Sequence, residues 1–248
     1  MAGHSKWANI KHRKGRQDAK RSKIWSKCSK AIMVAAKNGG GNPEMNLALR
    51  YAIDEAKAQN MPKDTIANAI KKGTGEMDGV VFETIVYEGY GPAGVAVMVD
   101  ILTDNRNRTA AELRKIFERS GGNLGATGCV AYNFEQKGQI FVAKQGADEE
   151  ELMMAALEAG ADDVSGADES FEVLTEPAAY TDVRSALDTD YTIESGSVAM
   201  IPQQTVEVTG KDVNKVMNFI DALEDNDDVQ KVHANFDISD EDLAALED

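Results

Sequence analysis

QIFVAK (139–144), a helical run over 149–159, a short strand at Val164, SFEVL (170–174), a second helical run over 178–187 and SVAMI (197–201) follow one another without a long gap. Short apolar runs of strand length alternate with longer stretches of helical periodicity, and their order reads βαββαβ. That order is the split-βαβ pattern of a ferredoxin-like sandwich. The acids Asp148, Glu149, Glu150 and Glu151 open the first of these helices, where carboxylates complement the positive end of the helix dipole.

Working outward, FETIVYE (82–88) and VAVMVDIL (95–102) read as strands joined by a glycine-rich loop. A helix over 105–119 and a strand near CVAYNF (129–134) come next. On the far side, QTVEV (204–208), a helix over 212–223 and VQKVHANFDI (229–238) form a second βαβ-like unit. The chain therefore predicts a middle α/β domain, 79–134 with 204–240, interrupted by the inserted ferredoxin-like domain 135–203 and followed by an acidic tail, 241–248. Residues 1–78 predict a basic arm and a three-helix bundle. Its helices run over 18–37, from Asn42-Pro43-Glu44 to about Gln59, and from Met61-Pro62 to Gly73. The fold class is α+β multidomain, a helical bundle plus two α/β domains.

The 248 residues carry a formal net charge of −15, unevenly. Residues 1–37 hold eleven Lys and Arg against one acid, Asp18, a local charge of +10; the rest then hold sixteen cations against forty-one acids, or −25. A cationic segment on an acidic chain is an electrostatic footprint for a polyanion, and phosphate backbones are the commonest one. Within the first helix Ile24, Cys28, Ile32 and Ala35 recur on one face, and Lys20, Lys23, Lys27, Lys30 and Lys37 on another. A helix that is merely solvated mixes Glu with Lys at four-residue spacing, and this one contains no Glu. No apolar run reaches membrane-spanning length, and no apolar core follows the basic start as a secretory signal requires. The basic, acid-poor start shares its character with organellar transit peptides, but Trp7, His4, His12 and Gly3 fit that poorly. Cys28 and Cys129 read as buried, reduced thiols.

Gly89-Tyr90-Gly91-Pro92-Ala93-Gly94 matches G-x-G-x-x-G, but a strand follows it where a dinucleotide site needs a helix N-terminus. It reads as a hairpin loop, and GGNLG (121–125) as a turn with exposed amides. Asn105, Arg106 and Arg108 cluster at a helix start, where free amides attract anions and arginine forks match phosphate. Internal salt bridges to nearby acids are the competing reading of the two arginines. Elements of catalysis are missing: no nucleophile elbow, P-loop, HExxH or cysteine-pair motif is present, and His233 reads as a half-exposed strand residue. Asp162, Asp163, Asp168 and Glu169 lack the spacing of a calcium loop. No metal, cofactor or small-molecule substrate is expected.

MAGHSKWANIKHRK (1–14), QDAKR (17–21), NMPKD (60–64), YEGYGP (87–92), LTDNRNRT (102–109) and GGNLG resemble, in order, the YebC family, whose mitochondrial relatives are translational activators. The resemblance covers nearly the whole chain. It implies a helical N-terminal domain, two α/β domains and a cytoplasmic, non-enzymatic protein. Family members are described as probable DNA-binding transcriptional regulators. The alternative makes them ribosome-associated factors that bind ribosomal or transfer RNA and relieve stalling at difficult peptide bonds such as polyproline. Either way the expected partner is nucleic acid, with Lys6, Lys11, Arg13, Lys14, Lys20, Arg21, Lys23 and Lys27 reaching phosphates, Trp7 and His12 reaching bases, and Asn105, Arg106 and Arg108 adding a second contact.

Overall fold

The computed structural model describes residues 18–77, 82–166, 170–239 and 242. Helices α1 (Asp18–Gly39), α2 (Leu47–Ala58) and α3 (Lys63–Gly73) come first. Cys28, Ile32, Ala35 and Ala36 of α1 close on Leu49, Ile53 and Ala56 of α2 and on Ile66 and Ala69 of α3. The second helix starts later than Asn42-Pro43-Glu44 suggests, because the Glu44 amide donates to Asn42 Oδ1 at 3.0 Å and the chain turns there. Asn46 is the cap instead: its Oδ1 accepts from the Leu49 amide at 3.1 Å while its Nδ2 donates to the carbonyls of Ala35 and Gly40, each at 2.8 Å. One buried amide thus ties the end of α1 to the start of α2.

Strands β1 (Glu83–Tyr90) and β2 (Ala96–Thr103), helix α4 (Arg106–Arg119) and the two-residue β3 (Asn123–Leu124) follow. Then come β4 (Phe134–Ala143), α5 (Glu149–Ala159), β5 (Ala161–Gly166), β6 (Ser170–Thr175), α6 (Tyr180–Leu187) and β7 (Ile193–Pro202). The chain continues through β8 (Val206–Glu207), α7 (Lys211–Glu224), β9 (Val229–Ala234) and β10 (Phe236–Asp237). The sheet β5-β6-β4-β7 is antiparallel throughout, the strand order of a ferredoxin-like sandwich. Ile140, Val142, Phe171 and Val173 face its two helices. The other large sheet, β3-β1-β2-β9, packs Val97, Val99 and Ile101 under α4 and α7, where Phe117 and Phe219 meet edge to face with centroids 4.9 Å apart. A short parallel pair, β8 with β10, lies beside it.

The hairpin reading of residues 89–94 holds. Gly91 donates to the Val95 carbonyl at 2.7 Å, and a Cβ on Gly91 would sit 2.4 Å from the Phe219 ring, so this glycine admits α7 rather than a pyrophosphate. CVAYNF, by contrast, is not a strand: turns and a 3₁₀ turn over Ala131–Asn133 occupy it, and β4 begins at Phe134. The reason is Glu88, whose buried carboxylate accepts from the amides of Gly128 (2.7 Å), Val130 (2.9 Å) and Ala131 (2.9 Å), which a ladder would otherwise use. The amides of GGNLG are not exposed either. Gly121, Gly122 and Gly125 donate to the carbonyls of Glu118, Phe117 and Glu88. His233 is buried, not half-exposed, and sits 3.0 Å from Asp100 Oδ2. Its face of β9 also carries Lys231, which donates to the Val198 carbonyl of β7 at 3.4 Å and reaches Glu55 of α2 at 3.8 Å. Cys28 is buried and burial pushes its thiol up to about 12, while Cys129 is only half-buried.

Burial acts to raise the Glu88 carboxyl, but its three amide donors together hold it below the ordinary glutamate value. Its stabilisation is therefore present above the unfolded value and lost as pH falls through the folded one. Glu88→Gln turns an amide group toward backbone donors and should cost about 2–3 kcal/mol in urea denaturation at pH 7. The gap between variant and parent should narrow as pH falls below about 4.

Candidate nucleic-acid interface

Lys23, Lys27 and Lys30 stand at i, i+4 and i+7, which puts them along the side of α1 facing away from Cys28, Ile32 and Ala36. That side does not open to solvent along its length. It lies against the C-terminal end of α7 and the acidic turn Glu224-Asp225-Asn226-Asp227-Asp228. Lys23 Nζ donates to the Asp225 carbonyl at 2.9 Å, with carboxylates of Asp225 at 3.7 Å and Asp227 at 4.0 Å. Lys27 Nζ donates to the Glu224 carbonyl at 2.6 Å, and Lys30 Nζ to the Asp227 carbonyl at 2.9 Å. Carbonyls at a helix C-terminus carry the negative end of its dipole, so Lys23 and Lys27 cap α7 from another part of the chain, while Lys30 holds the turn beyond it. Burial holds the Lys27 ammonium below its ordinary value, against the raising effect of Glu224.

Asp228 is the centre of the arrangement. Its Oδ2 accepts from Arg108 Nη2 at 2.7 Å, Thr109 Oγ1 at 2.8 Å and Thr103 Oγ1 at 3.1 Å, and its Oδ1 from Lys30 Nζ at 3.1 Å. Only 6% of its side chain is exposed. Burial works to raise its carboxyl, yet the bonds from Arg108, Thr109 and Lys30 outweigh burial and pull it down to about 2. The carboxylate joins α1, the end of β2, α4 and the turn before β9 at one point.

The start of α4 is likewise occupied from within. Asn105 caps the helix, its Oδ1 accepting from the Arg108 amide at 3.1 Å, and its own amide donates to Thr103 Oγ1 at 2.9 Å. Arg108 also bonds Asp104 at 2.9 Å, so the salt-bridge reading describes its position. Arg106 is exposed, and its guanidinium makes no hydrogen bond or ion pair among the described residues. Lys6, Trp7, Lys11, His12, Arg13 and Lys14 lie outside the described residues. Lys20 and Arg21 fall in the first turns of α1, with their side chains outside the described part. The sequence reading missed the participation of Asp225, Asp227, Asp228, Thr103 and Thr109. The acids that α1 lacks are supplied by the run EDNDD (224–228), about two hundred residues away, and that run was the available signal. No group of three metal-ligating side chains occurs among the described residues, and no described helix is long and apolar enough to cross a membrane.

Residues 82–236 match the family described as "TACO1/YebC second and third domain", and residues 5–76 match "TACO1/YebC protein N-terminal domain". The chain belongs to the TACO1/YebC family. A relative from Geobacter sulfurreducens, named a probable transcriptional regulatory protein, is 55% identical over 99% of this chain and 100% of its own length. Another from Dictyoglomus turgidum, with the same name, is 54% identical over 99% and 100%. Among solved structures, a conserved hypothetical protein of Aquifex aeolicus matches with a TM-score of 0.79 at 47% identity, covering 90% of this chain and 93% of that one. That fold is the α+β arrangement of helices followed by α/β units described above.

The pH behaviour of Asp228 tests the junction. A folded value near 2 against an ordinary 3.8 stabilises the protein above about pH 4, and that contribution fades as pH falls from about 4 to 2. Asp228→Asn should lose about 2 kcal/mol at pH 7 and show a flatter loss of stability across that interval, read by urea denaturation at a series of pH values.

Proposed function

We propose that this protein is a non-enzymatic, cytoplasmic nucleic-acid-binding regulator of gene expression, in line with the names its relatives carry. One observation carries the reading: eleven cations and one acid in the first 37 residues of a chain whose remainder is at −25. An acidic body is repelled by bare phosphate, so binding falls to the arm (Lys6, Lys11, Arg13, Lys14) and the first turns of α1 (Lys20, Arg21), with Trp7 and His12 offering rings to bases. Arg106 supplies a separate cation on α4. Lys23 and Lys27 adjoin this set but are engaged with residues 224–227, and Arg108 with Asp228, so none of the three is counted as a standing contact.

Crosslinking followed by sequencing of the bound nucleic acid distinguishes promoter DNA, which fits a transcriptional role, from ribosomal or transfer RNA, which fits the translational one. The physical claim is tested by salt. If about six phosphates are neutralised, log affinity falls against log salt with a slope near −4 to −5, and a chain beginning at Asp18 loses most of the affinity and most of the slope. A slope near zero, or a shortened chain that binds as well as the parent, contradicts the reading.

A further inference from the structure

We propose that the turn Glu224–Asp228 at the end of α7 is an autoinhibitory latch: anchored through Lys30, it holds Lys23 and Lys27 in place of nucleic-acid phosphates and gives these two up when the polyanion binds. The inference rests on the nucleic-acid reading above and adds how that site is controlled. Three observations on separate residues support it. The lysines are regularly spaced on one side of a helix that contains no Glu, which is how a phosphate-tracking face is built. Their partners are main-chain carbonyls at 2.9, 2.6 and 2.9 Å, with carboxylates behind them, a run of negative oxygens that presents α1 with what a phosphate backbone would. The groups nearest the edge are the ones open to exchange: the side chains of Asp225 and Asp227 are 67% and 78% exposed, and that of Lys23 is 46% exposed.

The contact is graded in strength. Lys30 is anchored at the buried end, to Asp228 and over the Phe82 ring at 5.5 Å, and that end fixes where α1 returns. Lys23 lies at the opposite, solvent-washed end, towards the arm. Exposed pairs of this sort are weak and screened by salt, so a polyanion presenting many phosphates can displace them one after another from the arm inward. Elsewhere the helical unit is tied by the partly exposed pair of Lys231 with Glu55 at 3.8 Å and by Tyr51, whose hydroxyl donates to the Pro177 carbonyl at 3.3 Å, contacts that leave the Lys23 end of α1 free to move.

The test neutralises the exposed acids and spares Asp228. In Asp225→Asn/Asp227→Asn, amine-labelling rates of Lys23 and Lys27, read by mass spectrometry without nucleic acid, should rise severalfold. Affinity for a short mixed-sequence DNA duplex and for a folded transfer RNA, tried in parallel, should rise about fivefold for whichever the parent binds. The control Asp188→Asn/Asp190→Asn makes the same change in net charge at exposed positions in the ferredoxin-like unit and should stay within about twofold of the parent. A latch variant that binds no better than this control, or whose lysines label no faster than the parent's, overturns the latch while the nucleic-acid reading stands. If the parent and every variant bind neither nucleic acid, the nucleic-acid reading fails and the latch with it.

Discussion

The carboxylate of Asp228 is the point on which the arrangement of this protein depends. A buried acid is costly unless each of its oxygens is met by donors, and here one side chain receives an arginine, a lysine and two threonine hydroxyls from three separate elements. Because Arg108 and Thr109 begin α4, Thr103 ends β2 and Lys30 lies midway along α1, satisfying this one group places the helical unit against the central sheet. The turn that presents Asp228 is itself held by Asn226, whose Oδ1 accepts from the Asp228 amide at 2.9 Å. Every other contact between α1 and the end of α7 then follows from where that turn lies.

The uneven charge of the chain takes on a second meaning in this light. A helix with lysines and no glutamates is poorly balanced alone, and an acidic turn of four carboxylates around one asparagine is poorly balanced too. Folding brings the two together, so the imbalance in each local stretch is resolved between distant ones. The resolution is complete at Asp228, which is buried, and partial at Asp225 and Asp227, which are exposed. A molecule with that gradient holds its cationic helix in place at one end while leaving the outer lysines available for exchange with a stronger polyanion.

Much of this architecture is legible in the residues. The βαββαβ order, the hairpin at 89–94 and the helix over 149–159 follow from apolar period and turn chemistry, which are local. Long-range bonds set what the period does not reveal. Glu88 drew CVAYNF into turns by taking the amides of Val130 and Ala131, Asn46 rather than Asn42 capped α2 because its amide also reaches the end of α1, and His233 was buried beside Asp100 of β2 by packing that no strand pattern announces. The candidate site divides in the same way. The cationic character of the first helix is a matter of composition, whereas the capture of Lys23 and Lys27 by residues 224–227, and of Arg108 by Asp228, depends on fold contacts spanning 202, 197 and 120 residues.

On the proposed latch, Lys23 and Lys27 have two mutually exclusive partners, the chain's own acidic turn and an external polyanion. Energy transfer between a donor on the helical unit and an acceptor on α7, followed through a titration with the nucleic acid recovered by crosslinking, tests it most directly. The account predicts that transfer falls as nucleic acid saturates the protein, because the Lys23 end of α1 swings away from the end of α7 about the Lys30–Asp228 anchor. Constant transfer through a complete binding curve would contradict it, since the lysines would then have stayed with their internal partners while the nucleic acid bound elsewhere.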